Sequence, residues 1–300
     1  MKKKIAIILS DPNSVNYEIV EKSFPFFCNK NLKNEYYFIG SKNLFKKKIK
    51  KNLKKIKMIN ISYDKKSNYV KDLFKKAFDL INKKKIDIII NLPLNKKEIF
   101  GKSFAGVTEY LAKNFNKKNK ETMLLYNDNF SVSPITTHIK IKDISRVITK
   151  DKIINNVKNI CDFYARLNKK KINIGILGLN PHNGMDFDRN TEEKKIIIPA
   201  IKEIKKLNLC NIYGPLSPDS SFLYRKINKL DNLIGLYHDQ VLTTFKYINE
   251  FKAINITLGL PFIRISPDHG TAKNIKNKNK ANPESFLYAL KFCEKFANSL

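Results

Sequence analysis

Short apolar or β-branched runs alternate along this chain with amphipathic stretches at helical spacing, which predicts a layered α/β protein with a largely parallel sheet. KKIAIILS reads as the first strand and VNYEIVEKSFPFF as its helix. EYYFIG is the next strand, followed by a lysine-rich helical or loop region. YVKDLFKKAFDLINKKK has apolar residues at helical spacing and leads into the strand IDIIINLPL. After FSVSPITTH, DKIINNVKNICDFYARL is an amphipathic helix before the strand KINIGILGL. TEEKKIIIPAIKEIKKL predicts another helix, with Thr191 in the N-cap position. PESFLYALKFCEKFANSL predicts a last one, with Pro283 near its first turn. No repeat or low-complexity linker marks a domain boundary.

Three of these runs end at a histidine: FSVSPITTHIK, KINIGILGLNPHNG and NLIGLYHDQ bring His138, His182 and His238, three of the four histidines, to the ends of strands. Each reads as strand, then loop, then ligand. Side chains at the carboxyl ends of parallel strands collect on one sheet edge, where open α/β proteins bind ligands. Any one of the three could cap a strand or bond a loop. Together they are candidates for a metal site, since three imidazoles leave coordination positions open for water or substrate.

At 300 residues, 42% of them hydrophobic, the chain can bury a substantial core in one large domain or two smaller ones. The absence of an apolar run near twenty residues argues against a membrane span, and the apolar part of MKKKIAIILSDPNS is short for a signal peptide, so a cytoplasmic location is expected. Cys28, Cys161, Cys210 and Cys293 are scattered and form no CxxC pair, which suggests reduced thiols. The net charge of +31 would ordinarily point to nucleic acid. Here almost all of it is lysine, with arginine only at Arg146, Arg166, Arg189, Arg225 and Arg264, whereas base readout favours arginine. Nucleic-acid binding is thus a remote alternative, with the lysine runs at 46 to 57 and 273 to 280 as its best candidates.

No GxGxxG follows the first strand, so a nicotinamide cofactor would have to be bound without the usual dinucleotide fingerprint, and GILGLNPHNG alone is a weak phosphate-loop signal. The densest functional segment runs from Tyr237 to Gly270. It sets Asp239 beside His238, then spaces Lys246, Asn255 and Arg264 nine residues apart. A point charge, a neutral amide and a planar fork suit a phosphate or carboxylate ligand. Lys246 could equally be a surface lysine. Arg264 sits in LGLPFIRIS, an apolar setting that is costly for an unpartnered cation. Asp268 and His269 could orient such groups or belong to a turn.

NPHNG at 180 to 184, YHDQ at 237 to 240, NITLGLPFIR at 255 to 264 and PDHGTA at 267 to 272, with TTH at 136 to 138 and LPLNK at 92 to 96, resemble the 4-hydroxythreonine-4-phosphate dehydrogenase family of vitamin B6 biosynthesis. The resemblance implies an isocitrate/isopropylmalate-dehydrogenase-like fold of two α/β/α domains with the active site in the cleft between them. The expected boundaries are 1–109 plus 278–300 for the first domain and 110–277 for the second. It implies a homodimer whose subunits share the site, with His138, His182 and His238 holding a divalent metal (zinc, magnesium, cobalt or manganese). Thr108, Lys246, Asn255 and Arg264 would bind the phosphorylated substrate. Gly178 and Asn180 would meet NAD or NADP, and Asp239 and Lys246 are the catalytic candidates. The implied reaction oxidises 4-phosphohydroxy-L-threonine to a 3-oxo acid that decarboxylates to 3-amino-2-oxopropyl phosphate. Another phosphorylated hydroxy acid, such as a phosphothreonate, is the close alternative.

Two departures bear on that choice. Where the family carries GHTE this chain has GVTE, with Val107 in place of a histidine while Thr108 and Glu109 remain. The family's GDPAGIGPE opening appears as SDPNSVNYE, keeping Asp11, Pro12 and Glu18 but no internal glycine.

Overall fold

The computed structural model describes residues 2–49, 56–63, 66–96, 99, 107–115, 120–169, 171–187 and 190–300. Gly106, Arg189 and the 50–55 part of the first lysine run lie outside them. The strands are β1 (Lys4–Ile8), β2 (Glu35–Gly40), β3 (Lys57–Asn60), β4 (Ile88–Asn91), β5 (Thr122–Tyr126), β6 (Ser131–Thr136), β7 (Asn173–Leu177), β8 (Asn211–Leu216), β9 (Asn232–Tyr237), β10 (Ile254–Leu258) and β11 (Ile263–Pro267). The chain divides into two compact units. The first holds Met1–Val107, Phe251–Ile256 and Pro261–Leu300, and the second holds Thr108–Glu250 and Thr257–Leu260. The expected second domain reached to 277. Residues from Pro261 on instead fall in the first unit, because β11 pairs in parallel with β4, Arg264 opposite Ile89.

In the first unit β2 and β4 flank β1, β3 lies outside β2, and β11 lies beyond β4, every pair parallel. Ile5 to Ile8 and Ile89 to Ile90 have no exposed surface, as expected of strands covered on both faces. The opening loop closes without glycine. Asp11, fully buried, accepts the Asn13 N–H at 2.9 Å and the Asn95 N–H at 3.3 Å, and Asn16 Nδ2 donates to the Pro93 carbonyl at 2.8 Å. The single helix expected after β1 is two, Asn16–Lys22 and Phe24–Cys28, with Pro25 in the first turn of the second. Proline costs nothing there, since that turn's N–H groups have no intrahelical partner.

In the second unit the strand order is β5-β6-β9-β7-β8, with β5 antiparallel to β6 and the other pairs parallel. The helix Lys150–Arg166 is capped by Thr149, whose hydroxyl accepts the Lys152 N–H at 3.2 Å, and buries Ile153, Val157, Ile160 and Phe163. The helix expected from TEEKK begins differently. Glu193–Ile197 is a π-helical turn that runs into the α-helix Ile198–Leu207, and the Thr191 hydroxyl, rather than capping, is buried with no hydrogen-bond partner among the described residues. The last helix, Glu284–Phe296, starts after Pro283 and belongs to the first unit. Among the described residues no helix is long and apolar enough to cross a membrane.

Candidate active site

Strand register brings two of the three histidines together. β6 and β9 are parallel neighbours with Thr136 opposite Tyr237, so the residues just past their carboxyl ends emerge side by side. His138 follows β6 by two residues and His238 follows β9 directly, and their ring centroids are 5.9 Å apart. They line a cavity of about 280 Å³ with Thr136, Thr137, Tyr237 and Asp239. His238 is not a loop residue as its sequence suggested. It opens the helix His238–Asn249, whose N-cap, Tyr237, contributes no side-chain hydrogen bond.

His182 sits elsewhere in the same unit, in the turn Pro181–Gly184 after β7. This turn holds three consecutive residues in the left-handed region: His182 at φ 48°, Asn183 at 59° and Gly184 at 68°. Among the described residues no group of three or more histidine, cysteine or acidic side chains is arranged to hold a metal ion.

Each of the three imidazoles nevertheless has a carboxylate of its own at Nδ1. His182 Nδ1 lies 2.6 Å from Asp186 Oδ2 and His238 Nδ1 lies 2.6 Å from Asp239 Oδ1. His138 Nδ1 stands 3.6 Å from Glu109 Oε1, within ion-pair reach. A neutral ring that donates from Nδ1 carries its lone pair on Nε2, and a carboxylate behind the ring raises its basicity. Nitrogens of this kind are the donors a divalent cation takes, and among the described residues two of them, on His138 and His238, belong to rings that stand side by side. Asp186 raises the pKa of His182. Burial pushes the Glu109 carboxyl up, but His138 and the Thr137 hydroxyl, 3.2 Å away, outweigh it and hold the group below the usual carboxylate range.

The proposed anion-binding residues have varied surroundings. In the first unit Arg264 is 4% exposed, and its Nε donates to Asn91 Oδ1 at 2.5 Å, which supplies the polar partner its apolar setting demanded. Also in that unit, Asn255 carries a buried Oδ1 with no hydrogen-bond partner among the described residues. In the second, Lys246 is exposed on the helix His238–Asn249, and the Thr108 hydroxyl lies 3.3 Å from that of Thr257. Val107, 4% exposed, begins the helix Val107–Asn114. Asp268 donates its N–H to Ser285 Oγ at 2.8 Å, and His269 Nδ1 lies 2.9 Å from the Gly270 carbonyl.

Gly178 and Asn180 lie in the loop after β7. The backbone N–H of Gly178 donates to the Leu216 carbonyl at 2.8 Å, and its own carbonyl accepts Gln240 Nε2 at 2.7 Å. Asn180 Nδ2 donates to Glu192 at 2.9 Å and to Glu193 at 3.0 Å. Gln240 and Glu193 were not singled out in the sequence. A neutral amide after HD and one glutamate among several carry no spacing signal, and their partners are fixed only by the fold.

The fold is that of the isocitrate-dehydrogenase-like α/β proteins. Isocitrate dehydrogenase from Methylococcus capsulatus, 12% identical, matches 97% of this chain and 84% of its own with a TM-score of 0.57. The family profile of the pyridoxal phosphate biosynthetic protein PdxA matches residues 14–293, and the chain belongs to this family of 4-hydroxythreonine-4-phosphate dehydrogenases. A 4-hydroxythreonine-4-phosphate dehydrogenase from Sulfurihydrogenibium sp. is 37% identical over 316 residues, covering 96% of each chain. The crystal structure of a 4-hydroxythreonine-4-phosphate dehydrogenase from Burkholderia phymatum is 25% identical, with a TM-score of 0.76 over 99% of this chain and 98% of that one.

Proposed function

We propose that the chain oxidises 4-phosphohydroxy-L-threonine with NAD or NADP in pyridoxal 5′-phosphate biosynthesis, giving 2-amino-3-oxo-4-(phosphooxy)butanoate, which loses carbon dioxide to become 3-amino-2-oxopropyl phosphate. Beyond family membership, the reading rests on one observation. His138 and His238 stand side by side over a cavity at the ends of parallel strands, each with Nδ1 facing a carboxylate.

In this reading His138, His182 and His238, contributed from both subunits of a homodimer in the cytoplasm, hold a divalent metal. The metal, when bound, supplies Lewis-acid polarisation of the substrate hydroxyl. Glu109 and Asp239 fix the rings of His138 and His238 from behind. Thr108, Lys246, Asn255 and Arg264 bind the phosphorylated substrate, the cations meeting phosphate and the Asn255 amide orienting it. Asp239 and Lys246 handle the proton that leaves the hydroxyl as hydride departs. Gly178 and Asn180 line the nicotinamide site, where the protein's part is to orient the ring and exclude water. The test is metal-dependent reduction of NAD or NADP by 4-phosphohydroxy-L-threonine. Its absence in folded, metal-loaded protein counts against the assignment.

The identity of residue 107 supports a second reading, in which another phosphorylated hydroxy acid such as a phosphothreonate is the substrate. Val107 is buried where the family pattern has an imidazole, so one hydrogen-bond donor is missing. A side-by-side comparison of kcat/KM for the two substrates separates the readings.

A further inference from the structure

The turn that carries His182 is built from backbone that L-residues rarely adopt. His182 and Asn183 are left-handed without being glycine, and each such residue costs about 1–2 kcal/mol unless its surroundings impose the shape. Glu193 imposes it. Its side chain enters beneath the loop from the π-helical turn, and the residue is only 1% exposed. Oε1 accepts the backbone N–H groups of Leu179 and Asn180, both at 2.8 Å, and Oε2 accepts Asn180 Nδ2 at 3.0 Å. The loop is tailored around this carboxylate. A Cβ on Gly184 would come within 2.6 Å of Oε2, and one on Gly178 within 3.3 Å of Oε1.

From this geometry we propose that Glu193 is a positioning residue. Its buried carboxylate sets the GLNPHNG loop in the one shape that holds His182 and Asn180 in place for metal and nicotinamide. The π-turn has a direct part in this, since the wider turn changes which face of the helix Glu193 occupies, and such turns recur at functional sites. The inference rests on the assignment of His182 as a metal ligand and of Asn180 to the nicotinamide site.

The experiment compares the full-length wild type with Glu193→Ala and Glu193→Gln by peptide-level hydrogen exchange, cobalt(II) titration followed by absorbance, and steady-state kinetics. In Glu193→Ala the peptide over 179–184 exchanges at least about 10-fold faster while peptides from β1 and β4 keep their protection. Cobalt binds about 10- to 100-fold more weakly, the range for loss of a group that orients a ligand, and KM for the nicotinamide rises more than kcat falls. Glu193→Gln, whose amide oxygen can still accept both N–H groups, lies between. A merely structural role lowers the melting temperature but leaves cobalt affinity and the local exchange rate unchanged. That result in either folded variant overturns the proposal. If Glu193→Ala does not fold, Glu193→Gln decides on the same readouts. If the wild type takes up no cobalt, the metal assignment falls, and exchange at 179–184 still decides what Glu193 does.

Discussion

Gln240 donates through Nε2 to the carbonyl of Gly178 at 2.7 Å, while its Oε1 accepts the N–H of Leu236 at the same distance. One neutral side chain thereby ties the end of β9, just before His238, to the loop after β7 that carries Asn180. Alanine at 240 strips both backbone groups of their partner. The expected loss is about 1–3 kcal/mol, the usual range for leaving a sheltered polar group unsatisfied. Gln240→Glu is expected to be no better, because it sets a carboxylate oxygen against the Gly178 carbonyl. Denaturant titration of the two variants checks this, and an unchanged midpoint for Gln240→Ala would show the bridge to be dispensable.

Gly184→Ala and Gly270→Ala form a matched pair. At Gly184 φ is 68° and a Cβ would meet Glu193 Oε2 at 2.6 Å, whereas nothing lies within 4 Å of a Cβ at Gly270. We expect a loss of about 1–2 kcal/mol at 184 from backbone strain alone, and a change within about 0.5 kcal/mol at 270. Thermal unfolding of both proteins reads the contrast.

Acid stability depends on Glu193. Burial raises its pKa, but the N–H and side-chain amide of Asn180 and the N–H of Leu179 outweigh that and hold the carboxyl below the usual range. A folded pKa below the unfolded one means that the contribution is fully present above the unfolded value, near about 4.3, and is lost as pH falls through the folded value. The stability gap between wild type and Glu193→Gln should therefore be constant from about pH 6 to 8 and shrink below about pH 4.5. A gap that widens in acid would reverse the sign and contradict the assignment.

Val107→His restores the imidazole of the family pattern. If 4-phosphohydroxy-L-threonine is the natural substrate, the valine enzyme already turns it over and the histidine changes kcat/KM modestly, by about 10-fold or less, the scale of one hydrogen bond. A variant that gains activity from an undetectable wild-type level would favour the other phosphorylated hydroxy acid for the native chain. Because Val107 is 4% exposed, the melting temperature must be measured alongside.

The meeting of two of the three candidate histidines was legible because parallel strands deliver residues to one edge in a way that register alone controls. EYYFIG and the helix after FSVSPITTH appear where their periodicity put them, and His138 and His238 meet as strand-end histidines should. Other features depend on partners distant in sequence. β8 contains Gly214 and Pro215, residues that normally interrupt a strand, and β10 and β11 were read as motif and apolar setting rather than as neighbours of a sheet. The helix from His238 has no capping side chain to announce it. Thr191 looked like a cap, but Glu193 turns inward two residues later to bind the loop, and the helix opens with a π-turn instead. Gln240 serves Leu236, four residues back, and Gly178, sixty-two residues back, a pairing that only the finished fold creates.

Absorbance at the reduced-nicotinamide band reads the proposed oxidation itself. Purified protein is mixed with 4-phosphohydroxy-L-threonine, NAD or NADP and a divalent metal, with His182→Ala alongside. His182 is well exposed, so its removal should leave the fold intact. Metal-dependent turnover is expected in the wild type, abolished by chelation and reduced to background in the variant. No turnover in folded, metal-loaded wild type, or undiminished turnover in His182→Ala, would contradict the proposed function.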